Sequence, residues 1–167
     1  HYSTRNSDHQ VCYELRGQQT NVWCVAASVQ MVLDFYRYEY DQVRVAAELG
    51  LGTPSSPTGL PYANDALVVT VLERLSSNAL DATMYTTNPF SRFVSEINAN
   101  RPLVSFVPGH SRTVVGYSET RWLLLTATDR GLTVFDPWPP NAGVVTRWEN
   151  FDATTYRRTF TAQVTLA

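Results

Sequence analysis

The chain has 167 residues, 44% of them apolar and 17% charged, enough to bury one domain-sized core and too apolar for disorder. A net charge of −2 leaves no basic footprint for nucleic acid or an anionic membrane, and all 13 cationic side chains are Arg, which excludes a lysine nucleophile, Schiff base or phosphate-loop lysine. No apolar run approaches the roughly 18 residues of a membrane span. The sequence starts at His1 without a charged-then-apolar leader, so a mature or trimmed product is expected.

Residues 1–10 are polar and aperiodic and are expected to form a loose arm, with a single domain over 11–167. From Trp23 the spacing of Val25, Val29, Val32, Leu33 and Tyr36 predicts a helix, with Gln30, Asp34 and Arg37 between the apolar positions and Asn21 as its cap. A second helix is predicted over Asp41–Leu49, ending at Gly50. The Gly-, Pro- and Ser-rich stretch Gly50–Pro61 reads as a loop, followed by a third helix over Asn64–Leu75. Ala82–Thr86 reads as a short strand and Ser91–Ile97 as a helix after the Asn88-Pro89 turn. Strand patterns then succeed one another at Leu103–Val107, Ser111–Gly116, Trp122–Ala127, Leu132–Phe135, Val144–Trp148 and Arg158–Leu166. Helices first and antiparallel strands after predict an α+β fold in two lobes, with a site in the crevice between them.

Cys24 falls where the first long helix begins. Unpaired N–H groups and the helix dipole favour an anion there, which is how a cysteine becomes a nucleophile. The alternatives are a small buried hydrophobe or a disulfide with Cys12. Two cysteines and three histidines without a CxxC or HExxH pattern make no zinc site. Gln18, six residues before Cys24, is a candidate oxyanion donor together with the Cys24 N–H, and its neighbour Gln19 could serve similarly. A base is also needed. His1 and His9 lie on the arm, which leaves His110, next to Gly109 at a strand start. An acceptor to orient the imidazole is expected at Asp136, which ends the run Leu132–Phe135 before a stiff Pro-Trp-Pro-Pro loop; Asp129 and Asp152 are weaker choices.

The segment Gln18–Leu33, with Trp23-Cys24 followed by small residues and an apolar helix, resembles the active-site helix of bacterial papain-like cysteine proteases. Arg101–Val104, Gly109-His110 and Val114–Tyr117 resemble their histidine block, and Val134–Pro139 resembles their Asp-Pro block. The similarity spans Gly17–Trp148 and lies near the type III effector proteases and the bacteriocin-leader-processing peptidases. It implies a papain-like helical lobe and antiparallel sheet lobe, with Cys24 as nucleophile, His110 as base, Asp136 as orienter and Gln18 as oxyanion donor. It also implies a cofactor-free peptide-bond hydrolase outside the producing cell, acting on a protein or peptide and controlled by a removed pro-segment or an inhibitor. Gln19, Trp23 and Trp138 are the candidate substrate contacts, and Tyr62 a further apolar one. Three departures stand out: Val25 after the cysteine, Ser111-Arg112 after the histidine, and a long stretch between His110 and Asp136 holding an extra hairpin. Arg112, sharing a strand face with His110, is expected to lower the imidazole pKa if it points inward. Two rival functions remain at this stage: a deamidase or acyltransferase acting on protein glutamine through the same thioester, and a silent interaction domain.

Overall fold

Helix α1 (Cys24–Phe35) is buried from Val25 to Phe35, including the polar Ser28, Gln30 and Asp34, so it is a core helix rather than an amphipathic surface one. It ends earlier than its periodicity suggests. Arg37 takes φ +70, and the N–H groups of Arg37 and Tyr38 donate to the carbonyls of Asp34 and Leu33, closing a Schellman turn. Helix α2 (Gln42–Glu48) starts at Asp41, whose side chain accepts the Arg44 N–H. It stops at Gly50, whose φ of +75 closes the same kind of turn through Leu51 N–H to Ala46 C=O. The predicted loop holds a two-residue ladder, β1 (Gly52–Thr53) with β2 (Ser56–Pro57). A 3-10 turn (Tyr62–Asn64) precedes helix α3 (Leu67–Leu75), so the third helix begins three residues later than its pattern suggests.

The computed structural model describes residues 17–121 and 128–165. The expected arm, Cys12 and the Trp122–Ala127 segment lie outside these residues. Strand β3 (Leu80–Tyr85) and helix α4 (Phe90–Asn98) lead into β4 (Leu103–Val107), β5 (His110–Arg121), β6 (Thr128–Asp136), β7 (Val145–Asn150) and β8 (Arg158–Val164). Together the strands form an antiparallel sheet in the order β3-β8-β4-β5-β6-β7. The fold is thus α+β, with helices packed on an antiparallel sheet, as expected.

Side-chain alternation splits the core between the two faces of the sheet. Val115 and Phe135 join α1, α2 and α3 on one face, whereas Val114, Leu132 and Val134 pack with Phe90, Phe93 and Ile97 of α4 on the other. Each fully buried Val, Leu or Phe contributes about 1.5–3 kcal/mol. The long stretch between His110 and Asp136 is one hairpin: β5 and β6 pair from Arg121↔Thr128 back to Thr113↔Phe135, with a bulge between Val114 and Gly116. Its arms return Asp136 to the level of His110, because Thr113 stands opposite Phe135 and strand neighbours on a diagonal lie within side-chain reach.

Candidate active site

Cys24 opens α1, is half-buried and free of any disulfide. No side chain caps this helix. Trp23 occupies the cap position and Asn21 lines the cleft instead, contrary to the expected Asn21 cap. The first-turn N–H groups, which have no partner within the helix, are therefore not consumed by a cap.

His110 meets both partners. Its Nε2 lies 2.7 Å from Asp136 Oδ1, and it shares the cleft with Cys24, whose proximity also favours the charged ring. With Nε2 turned to Asp136, Nδ1 is the nitrogen left for the thiol. Burial works against a charged imidazole, but the hydrogen bonds and charges of Asp136 and Cys24 outweigh it and raise its pKa to about 9. Asp136 is 3% exposed. Burial pushes its pKa upward, yet the His110 contact, the Trp138 N–H at 3.0 Å and the charge of Arg147 hold it below the usual carboxylate value. Arg147, on β7, donates to the second oxygen, Asp136 Oδ2. Sequence reasoning missed this guanidinium, because only the pairing of β6 with β7 brings it there.

Arg112 does not act on the imidazole as expected. It is fully buried and binds Glu149 through both Nη atoms, one at 3.0 Å, so its charge is matched on the far side of the strand pair. Ser111 instead ties the histidine strand to the nucleophile helix. Its Oγ donates to Ser28 Oγ at 3.0 Å, and Ser28 Oγ donates to the Cys24 carbonyl at 2.8 Å. Thr113 Oγ1 donates to the Ser28 carbonyl at 3.2 Å. All three hydroxyls are buried, so these bonds are strongly favoured over unpaired alternatives.

Gln18 is 1% exposed and is not among the residues that line the cleft. Its Nε2 donates to Thr20 C=O at 2.8 Å, leaving one amide hydrogen, while its Oε1 is buried without a partner among the described residues. Trp138 lines the cleft and is 47% exposed, where a substrate contact was expected. Trp23 does not. Its indole is wholly buried in the core and donates to Leu51 C=O at 3.0 Å. The Gln19 side chain is exposed and does not line the cleft.

The cleft holds about 530 Å³. Cys24, His110 and Asp136 share it with apolar walls from Val22, Val25, Leu60, Tyr62, Phe106, Trp138 and Val145, and with Arg147, Arg157 and Asp65. Arg157 stacks 3.9 Å above the exposed Tyr62 ring while binding Asp65 at 3.0 Å, which fixes that wall. The arrangement offers a thiol beside an imidazole whose second nitrogen is anchored on a buried carboxylate, at the bottom of an apolar groove.

The model of the Peptidase_C39-like family matches residues 11–165. No curated protein matches the chain. Among solved structures, a double-glycine-motif protease from an AMS/PCAT transporter, in complex with the leader peptide, aligns with TM-score 0.57 and 17% identity over 90% of this chain and 91% of that one. The peptidase domain of Streptococcus ComA, a bifunctional ABC transporter involved in a quorum-sensing pathway, aligns with TM-score 0.57 and 16% identity, covering 92% and 99%. UfSP from C. elegans aligns with TM-score 0.54 and 12% identity, over 97% of this chain and 31% of that chain.

Proposed function

Because the chain belongs to the Peptidase_C39-like family and is a papain-like cysteine peptidase, we propose that it cleaves peptide bonds through Cys24, His110 and Asp136, with Gln18 aiding the oxyanion. The single observation that carries this reading is the His110–Asp136 pair at a sheet end, lining one cleft with Cys24 at a helix start. The Cys24 sulfur attacks the scissile carbonyl. The resulting tetrahedral oxyanion receives the Cys24 N–H and the spare amide hydrogen of Gln18. His110 passes its proton to the leaving amine, and a thioester remains. Water, deprotonated by His110, then releases the acid and restores the thiol. Asp136 keeps Nε2 engaged, so Nδ1 stays directed at sulfur through both halves of the cycle.

The substrate in this reading is an extended peptide. The exposed Val22, Tyr62, Trp138 and Val145 side chains at the cleft support it, since apolar surface gathered at a groove suits a peptide partner. One structural neighbour is itself a protease bound to a leader peptide, which supports a peptide rather than a small-molecule substrate. We place its action outside the producing bacterial cell, with a pro-segment or an inhibitor as its controlling partner.

A peptide library incubated with the wild type and with Cys24→Ala, followed by mass spectrometry, tests the reaction. Wild-type-dependent backbone cuts are expected. Gains of about one dalton at glutamine without cuts would replace hydrolysis by deamidation through the same thioester. No product at all, with iodoacetamide labelling Cys24 only slowly, would leave a silent scaffold.

A further inference from the structure

Behind Gln18 lies a buried amide pair that the proposed chemistry does not use. Gln42, the first residue of α2, is 1% exposed, and both donors and the oxygen of its amide are engaged. Its Oε1 accepts the Gln19 N–H at 2.7 Å. Its Nε2 donates to the Gly17 carbonyl and to Gln30 Oε1, each at 3.1 Å. Gln30, also buried, donates onward to Tyr40 C=O at 2.8 Å. Gln42 therefore grips the backbone on both sides of Gln18.

The intervening groups are held from the other direction. Gln18 N–H donates to Pro137 C=O at 3.0 Å, and Gln18 C=O accepts the Asn141 N–H at 2.9 Å. Four consecutive polar groups, from Gly17 C=O to Gln19 N–H, are thus fixed without any strand or helix. Gly17 permits the approach, since a Cβ there would fall 3.0 Å from the Gly143 backbone. An apolar side chain would fill position 42 of a buried helix face equally well. What the amide adds is the set of bonds to Gly17 and Gln19, part-buried groups of an irregular segment that would otherwise lose these partners.

We propose that Gln42 is a positioning residue for the oxyanion-donating amide of Gln18. This rests on the role given to Gln18 above. An oxyanion donor is effective only when its direction is set before charge develops, and a loop residue lacks the regular backbone bonds that would set it. Gln42 supplies them from the second helix, opposite the loop that follows Asp136.

Two reagents separate this role from a general structural one. Acylation by p-nitrophenyl acetate passes through a tetrahedral oxyanion, whereas alkylation by iodoacetamide does not. In variants folded at the assay temperature, Gln18→Ala is expected to slow acylation by about 10²–10³ and Gln42→Met by at least about tenfold, with alkylation by either variant within about twofold of wild type. Gln42→Glu keeps the acceptor for Gln19 N–H but loses both donors. It is expected to slow acylation selectively too, and it decides the question if Gln42→Met does not fold. Exchange of the Gln19 amide hydrogen should accelerate in Gln42→Met. Equal loss of acylation and alkylation in the Gln42 variants, or loss of neither while Gln18→Ala is slow, would overturn the proposal and leave the Gln18 role standing. Unimpaired acylation in Gln18→Ala would remove the Gln18 role and this one with it.

Discussion

Replacing Asp136 by Asn tests whether the relay carries charge in the folded protein. The substitution keeps the shape and an acceptor for Trp138 N–H but removes the anion facing His110 and Arg147. An exposed imidazole titrates near 6.5 and His110 near 9, a difference worth about 3 kcal/mol of folded-state preference for the imidazolium. Asp136 and Cys24 supply the favourable part against burial, so removing the Asp136 carboxylate should take away part of this preference. Since the folded pKa is raised, this stabilisation is complete below about pH 6.5 and disappears as pH rises through about 9. Asp136 has the opposite sign: its pKa is lowered, so its contribution is present above the ordinary carboxylate value and is lost as acid protonates it. Urea unfolding of wild type and Asp136→Asn at a series of pH values is the assay. The stability difference should be greatest near pH 5–6.5 and smaller by about 1–3 kcal/mol at pH 9.5, where mainly the lost Arg147 contact remains. A difference that stays constant between pH 6 and pH 9.5 would mean that His110 is neutral in the fold, and the charged relay would be wrong.

Cys24→Ala should abolish peptide hydrolysis while leaving the fold intact, and in NMR titration the His110 ring should move from about 9 toward 6.5, because one of its two polar partners is gone. Ser111→Ala should lower stability by about 1 kcal/mol in thermal unfolding and slow alkylation of Cys24 at neutral pH, since the bond joining the histidine strand to α1 is lost. Trp138→Ala, at a side chain 47% exposed, should leave iodoacetamide kinetics and stability nearly unchanged but raise KM for cleaved peptides several-fold, by about 1 kcal/mol of lost contact. An unchanged KM would remove Trp138 from the substrate groove.

The sequence was most legible where one short segment carries both geometry and chemistry. Trp23-Cys24 before an apolar run located the helix start, and an Asp before Pro-Trp-Pro at a strand end located Asp136. Residues whose role depends on strand pairing were not legible. Arg147 reaches Asp136 only because β7 pairs with β6, and Arg112 turns to Glu149 rather than to the imidazole. Trp23 was misread because adjacency to Cys24 in the chain says nothing about which side of a helix start faces the groove. Asn21 was expected as a cap from its type alone, and only the backbone shows that Trp23 takes that position without a side-chain bond. Gln42 gave no signal, since a single Gln at a helix start ordinarily faces water.

Cys24 and His110 lie in different halves of the chain, yet hydroxyl bonds join their elements within one residue of His110 and one turn of Cys24. Gln18 and Asp136 are likewise distant in sequence, and the backbone bonds of Gln18 end on Pro137 and Asn141, just past Asp136. Each proposed half of the site, nucleophile with base and oxyanion donor with orienter, is therefore closed by a direct long-range tie rather than by the core alone. The pH dependence follows from the same construction. The imidazolium that stabilises the docked hairpin is also the proposed proton donor to the leaving amine, so alkalinity above about 9 should weaken the fold and the proposed chemistry through one titration.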